Sequence, residues 1–531
     1  MSKHIFLKGA MILTIAGIIV KIIGAVNRII LSRMLGGEGI GLYQLAYPVY
    51  ILALSFIAAG IPIAISILIA EKRAVSDWAG ARKIFHVSLK VFTAVGLGTA
   101  VLFYVLASQL LEWGWVRDER AYLGLIVLAP ALFFGILMGC FRGYFQGYQL
   151  MLPTAISQIA DQFFRVLSMI GLAWFFLPWG LEYAAAGAAF GAVPGTAAGL
   201  LSLLICYRYY KKSLGIEVGG EAPAAVPDSA GRIAKRLLLL MIPVSMANIM
   251  MPAVASIDLV IVPNRLLAAG YTIEESTALF GYLTGMATSL VNLPAIVTAA
   301  LAAAIVPAVS KAFAEKNYPA LYRDSNAAMR IMNVLTMPMA VGIAVLGVPI
   351  SQMLYATPHA GAAIGIMAWG IWLLGLQQVS AAILQGMGHT TIPLLNMIAS
   401  AIVKIALSWH FTAIYDIGIQ GAAWATNIDL GLAAALNMYF LKKYSGYCLR
   451  KKEIVKLGGL SLTMGAAAWG IYTGLYQITG QNTGSLLTAI GAAVILYAAG
   501  LIGGRLITPQ DAEKLPKAGN TAAKWIRKIQ K

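Results

Sequence analysis

Charge is what this sequence has least of. Asp, Glu, Lys and Arg together make up 11% of its 531 residues, against about 25% in an ordinary soluble domain, and that scarcity excludes a water-soluble globular enzyme. Cysteine is equally sparse. Cys140, Cys206 and Cys448 share no CxxC or other pairing spacing, so neither a disulfide framework nor a cysteine metal site is implied. Five scattered histidines exclude an HExxH site, and the lack of a P-loop excludes ATP as the direct energy source. Long hydrophilic stretches are missing too; the longest connections are 207–236 and the tail 504–531.

Apolar residues fill the space that charge leaves. They account for 60% of the chain, with a mean hydropathy of +0.79, and they gather into runs of about 18 or more, each able to cross a hydrocarbon core about 30 Å thick. The pattern predicts an all-α polytopic membrane protein. Continuous runs, rather than short alternating segments, exclude a β-barrel. The 54 glycines and 20 prolines are compatible with membrane helices, whose neighbours re-satisfy a broken backbone. Fourteen transmembrane helices are expected, at about 10–32, 42–70, 87–111, 121–141, 154–177, 183–206, 237–262, 280–310, 328–348, 362–385, 392–414, 418–441, 455–475 and 485–503. The first is too long for a signal peptide and lacks a small-residue cleavage site, so it is read as retained. Pro48, Pro62, Pro243, Pro252, Pro294 and Pro307 fall within spans and predict kinks.

Orientation follows from the basic residues. With the N-terminus inside, thirty of the 39 Lys and Arg fall in inner segments, Arg142 among them, and four, Arg33, Arg117, Arg120 and Arg265, in outer loops. Both termini are therefore expected in the cytoplasm. The net charge of +18 is then a topology signal and an attraction to anionic lipid, with no nucleic-acid partner. The basic stretch 522–531 reads either as an amphipathic segment on the inner leaflet or as frayed tail.

An internal repeat is visible. Ser66 to Lys72 resembles Ser310 to Lys316; Gln146-Gly147 with Pro153 resembles Gln385-Gly386 with Pro393; Gly187 to Phe190 resembles Gly421 to Trp424. Three ordered matches at nearly constant spacing predict a duplicated six-helix unit. Six is even, so the two lobes form a parallel repeat of the kind that builds rocking transporters. The expected domains are an N-terminal lobe 1–206, a cytoplasmic linker 207–236, a C-terminal lobe 237–441, two extra C-terminal helices within 442–503, and a basic tail 504–531.

Charges inside spans are functional candidates. Lys21 and Arg28 stand seven residues apart, and therefore on one helix face two turns from each other. Two cations on one face need an anion, and no acid of that helix supplies it. One reading is a phosphate-binding face, for which Arg offers a bidentate fork and Lys a point charge; the other is that Arg28 snorkels outward while Lys21 pairs with an acid elsewhere. Asp161 and Arg165 are spaced to neutralise each other. Asp258 has no base within a turn and must pair across helices, bind a cation or stay protonated. Lys404 and Asp429 are read as a structural pair, and Lys90 as snorkelling.

Phe141-Arg142-Gly143-Tyr144-Phe145-Gln146-Gly147, with Met151 to Ala155 and Ser157-Gln158, resembles the stage V sporulation protein B family of Gram-positive bacteria. Gly281 to Ala287, Leu290 to Pro294 and Pro307 to Ser310 are similar to further blocks of it, so that the likeness runs from about Phe6 to Leu506. That family sits in the multidrug/oligosaccharidyl-lipid/polysaccharide exporter (MOP) superfamily, beside the lipid II flippases of the MurJ type. The resemblance implies a fourteen-helix, two-lobed, V-shaped fold and transport of undecaprenyl-pyrophosphate-linked sugars, with the last two helices forming a groove for the lipid tail. It also implies pyrophosphate binding by cations of the first, second and eighth helices. Lys21 and Arg33 match the first-helix pattern, Arg28 stands beside the family's other cationic position, which Asn27 occupies here, and Arg265 is the substitute for an absent eighth-helix arginine. A sodium site between the seventh, eleventh and twelfth helices is implied at Asp258, Asn396 and Thr426, with Ser400 where an acid would stand.

The expectation is a flippase, not an enzyme, carrying lipid II or a related lipid-linked oligosaccharide by alternating access from the inner to the outer leaflet. It would work in the plasma membrane of a Gram-positive bacterium, among membrane lipids and cell-wall synthesis proteins, without a cofactor unless sodium couples transport. The alternatives are a cation-coupled multidrug exporter of the same superfamily, and a membrane glycosyltransferase or scaffold of cell-wall synthesis; Asp118, Glu119, Glu274 and Glu275 are the outer-loop acids such an enzyme could use.

Overall fold

A computed structural model describes residues 2–58, 60–214, 229–504 and 506. Segment 215–228 of the expected linker and all but residues 504 and 506 of the expected tail, the stretch 522–531 included, lie outside the described residues. Helices account for almost everything described, and no strand occurs there. Among the described residues, eleven helical runs are long and apolar enough to cross a membrane. The chain is a multi-pass membrane protein.

Among the described residues nineteen α-helices follow one another: α1 Ser2–Ala58, α2 Ile61–Ala74, α3 Trp78–Glu112, α4 Tyr122–Ile126, α5 Ala129–Gly147, α6 Met151–Phe176, α7 Leu181–Phe190, α8 Ala192–Leu214, α9 Ala230–Ala268, α10 Ile273–Phe280, α11 Thr288–Ala314, α12 Tyr318–Val345, α13 Gly347–Tyr355, α14 Gly361–Met367, α15 Trp369–Gly386, α16 Thr391–Phe411, α17 Ile419–Ser445, α18 Lys451–Thr479 and α19 Asn482–Gly503. The expected first and second spans are the two arms of α1, separated by a break at Gly36 (φ 64°, ψ −169°). Sixteen residues of straight helix would span about 24 Å, yet an Arg28 side-chain nitrogen lies 3.0 Å from the side-chain oxygen of Gln44. The chain therefore folds back at Gly36, in a backbone region open almost solely to glycine. The second arm ends before Gly60, and Pro62 starts α2 at a position where its missing N–H costs nothing. A seven-residue π-helical turn, Gly281–Ala287, joins α10 to α11.

Two compact units result, Met1–Gly281 and Tyr282–Lys531. Lipid tails are as apolar as leucine, so helices here associate through close packing rather than through hydrophobic burial. In the first unit Gly139, Gly143 and Gly147 set one face of α5 against α2: a Cβ on Gly143 would stand 2.8 Å from the Ile65 Cβ, and one on Gly147 2.8 Å from the Ile69 Cβ. Around that seam lie the buried Ile61, Phe85, Phe145 and Leu203. Helix α9 packs on α1, α2 and α3 within the same unit. In the second unit α11, α12 and α15 enclose Val309, Met329, Met332, Val379 and Ile383, while α16 packs on α17 and α18 on α19.

The repeat extends to backbone detail. Ser76 (φ 58°) and Lys316 (φ 54°) both adopt left-handed conformations just past a helix end. Asp77 then caps α3 by accepting from the Gly80 amide at 2.7 Å, and Asn317 caps α12 by accepting from the Ala320 amide at 3.1 Å. Left-handed residues recur again at Gln149 and Gly388, before α6 and α16.

Candidate functional site

The first arm of α1 carries the cations singled out by sequence. Lys21 and Arg33 are exposed, whereas Arg28 is half-buried. The fold-back at Gly36 brings the second arm beside Arg28, which donates to the Gln44 amide oxygen and lies over the Tyr43 ring at 5.4 Å. Its partners in these two contacts are a neutral amide and a ring face, neither of which is a counter-charge. Tyr43, Tyr47 and Tyr50 continue along that arm as a ladder, with centroids 5.0 and 5.7 Å apart. Beside Arg28, Asn27 is buried and donates to the Met169 sulfur at 3.4 Å.

Across from the ladder, α6 supplies Asp161 and Arg165, paired at 2.8 Å as their spacing predicts. Arg142, read from sequence as an inner-loop cation, lies instead within α5. Its Nε donates to the Ser157 hydroxyl of α6 at 3.0 Å. The glycines around it serve the close approach of α2 and do not end the helix. Arg265 stands in the last turn of α9, on a different element from Arg28.

The ligands expected for sodium are divided. Asp258, half-buried on α9, belongs to the first unit; Asn396 and Thr426 belong to the second. There the Asn396 amide donates to Asn437 at 2.8 Å and the Thr426 hydroxyl to the Ala422 carbonyl at 3.1 Å, which leaves each side-chain oxygen with lone pairs free for a hard cation. Ser400 donates to the Asp429 carboxylate at 2.6 Å. Among the described residues no cluster of three His, Cys, Asp or Glu could hold a metal ion.

Two of the acids expected in outer loops, Asp118 and Glu275, hold the backbone. Asp118 is buried, caps the Arg120 amide, pairs with the Arg120 guanidinium at 2.8 Å and accepts from the Thr277 hydroxyl at 2.8 Å, while Arg120 also pairs with Glu38 at 2.6 Å. Glu275 closes a capping box with Thr272 at the start of α10. Sequence reasoning missed Tyr43, Gln44, Tyr47, Tyr50 and the placement of Arg142. The spacing of the three tyrosines, at i, i+4 and i+7, is a one-face signal that was legible.

Comparison with known proteins agrees with this architecture. The polysaccharide biosynthesis protein family model matches residues 6–313, and the MatE model matches 283–410. Stage V sporulation protein B of Bacillus subtilis (strain 168) is 28% identical over 519 residues, covering 98% of this chain and 99% of that protein. Lipid II flippase MurJ of the same organism is 26% identical over 519 residues, covering 92% and 94%. Among solved structures, an inward closed lipid II flippase MurJ superposes with a TM-score of 0.69 at 16% identity, over 92% of this chain and 98% of that one. An inward-facing multidrug resistance MATE family transporter of the MOP superfamily superposes with a TM-score of 0.65 at 17% identity, over 80% and 94%. The chain belongs to the polysaccharide biosynthesis protein family.

Proposed function

We propose that this chain flips an undecaprenyl-pyrophosphate-linked precursor, lipid II or a related lipid-linked oligosaccharide, from the inner to the outer leaflet by alternating access. The setting is the plasma membrane of a Gram-positive bacterium, alongside cell-wall synthesis proteins. The observation that carries the reading is Arg28, a cation inside a membrane helix whose hydrogen bond goes to neutral Gln44. Such a charge is costly in the bilayer and calls for an anion; a diphosphate supplies about two negative charges in the geometry a guanidinium fork accepts. Lys21 and Arg33 lie on the same arm of α1, before and after Arg28, and Arg265 is a further contributor from α9. For the lipid tail, support comes from a cavity of about 180 Å³ in the second unit, lined by Met337, Trp369, Trp372, Gly458 and Leu462 of α12, α15 and α18. For coupling we infer sodium, for which Asn396 and Thr426 of the second unit offer oxygens that suit a hard cation and Asp258 of the first unit offers a carboxylate of its own; a bound sodium would supply positive charge that links transport to the cation gradient.

The test is direct. Purified protein in vesicles should move fluorescent lipid II between leaflets without changing its mass, with a teichoic or capsular precursor run in parallel. Immobility of both lipids, or a change in mass, overturns the reading. The MatE match over 283–410 favours a second reading, a cation-coupled drug exporter; export of a lipophilic cationic dye from the same vesicles, with the lipids immobile, would establish it.

A further inference from the structure

Buried positive charge in the first unit exceeds the acid that acts on it, and the excess centres on α6. The Asp161–Arg165 side chains are 16% and 11% exposed. Arg142 lies within electrostatic reach of both members of that pair. One nitrogen of its guanidinium, Nη2, is buried without an acceptor. Arg28 and Arg165 both reach the Tyr43 phenol. Next to the pair, the fully buried Tyr50 hydroxyl has no acceptor for its proton. Two buried guanidiniums, Arg165 and Arg142, thus share one carboxylate, and two donors stand unfilled. A buried charge without a counter-charge, and a buried donor without an acceptor, are both costly. One kind of ligand corrects both deficits: an anion with several oxygens, shaped for guanidinium forks.

Packing fixes where the carboxylate sits. A Cβ on Gly195 of α8 would meet the Asp161 carboxylate at 2.9 Å, and one on Gly199 would meet the Asp161 Cβ at 3.1 Å. Helix α8 walls in the carboxylate and the root of Arg165 alike, a Cβ on Gly195 meeting the Arg165 Cβ at 2.7 Å, while the Arg165 guanidinium acts on Tyr43 and Tyr50 of α1.

We propose that Asp161 is a displaceable counter-ion and that Arg165, with Arg142 and Tyr50, forms an anion station which a diphosphate occupies by replacing Asp161 on Arg165. The inference rests on the flippase reading and adds a specificity element to it. Without substrate, Asp161 neutralises Arg165. A diphosphate offers enough oxygens to take over Arg165 and to fill the Arg142 and Tyr50 donors together. A monophosphate offers fewer and competes poorly with a carboxylate already in place. The pair therefore selects diphosphate over monophosphate carriers.

The experiment measures binding of undecaprenyl pyrophosphate and undecaprenyl phosphate to the purified full chain, beside lipid II movement in vesicles. Asp161→Asn should bind the diphosphate about tenfold more tightly than the parent, since its competitor is gone. Asp161→Asn combined with Arg165→Gln should bind it about tenfold more weakly and lose the preference over monophosphate. Should the double variant not fold, Arg165→Lys carries the same test: it keeps the ion pair and loses the fork, so diphosphate binding falls while monophosphate binding holds. Folded variants with parental affinity and preference would make the pair structural and overturn the inference, with lipid II still moving in the parent. Failure of the parent chain to bind or move any of these lipids would instead overturn the flippase reading, and the inference with it.

Discussion

Arg28 places its hydrogen bond on an amide and its charge on a ring, so nothing it touches in these two contacts neutralises it. Hydrogen bonds to charged groups are worth about 1.5–3 kcal/mol each, which converts to a roughly ten- to hundredfold change in rate for a step that depends on one. Arg28→Ala should lower lipid II movement in vesicles by that factor. Arg28→Lys should lose less, because it keeps the charge and gives up the fork. Parental rates in both correctly inserted variants would remove Arg28 from the transport path. Arg28 was legible in the sequence because a charge in an apolar run has few explanations. For Tyr43 and Tyr50 the shared helix face was legible from their spacing but their role was not, because a tyrosine in such a run looks like an interfacial anchor until a fold-back supplies the arginine beside it. Asp161 and Arg165 were legible as a pair through their spacing. Their surroundings were not, since Arg142 arrives from α5 and Tyr50 from α1.

At the scale of elements, the candidate site depends on the break in α1. Gly36 sits at φ 64° and ψ −169° with open space where a Cβ would project, so the obstacle to substitution there is backbone strain and not a clash. Strain of this kind costs about 1–3 kcal/mol. Gly36→Ala should therefore lower the apparent melting temperature of the detergent-solubilised protein and weaken diphosphate binding, as the second arm no longer holds Gln44 and Tyr43 against Arg28. Gly98→Ala is the control: it too meets open space, but in ordinary helical backbone, and should leave both unchanged or raise stability slightly. Equal melting temperatures for the two variants would mean that the fold-back does not need glycine. Hydropathy located this break, placing spans at 10–32 and 42–70 on either side of Gly36, but it ran the second span through the further break before Pro62. The duplicated turns at Ser76 and Lys316 lie next to a repeat that was readable, the shared Ser66 and Ser310 segments, because capping residues have a fixed spacing from the helix they start.

At the scale of the molecule, the direction of transport is an electrostatic question. Each elementary charge moved through 100 mV is worth about 2.3 kcal/mol. A diphosphate leaving a cell with a negative interior moves down that potential, and a cationic site returning empty also moves down it. Loaded with its anion, the site is close to neutral. Membrane potential alone can therefore speed the cycle whether or not sodium takes part, and a potential-dependent rate proves nothing about the ion. Sodium has to be tested with the potential clamped. Under that condition, replacing sodium with choline should slow lipid II movement by about tenfold if sodium neutralises a carboxylate that otherwise stalls the return. Asp258→Asn, which removes the charge but keeps an oxygen, should make the rate the same in sodium and in choline. A parent chain that works equally well in both salts would dismiss the sodium site and leave the potential as the driving force. In that case the membrane guanidiniums would be both the binding site and the charges on which the potential acts, and Arg28→Ala would flatten the voltage dependence along with the rate.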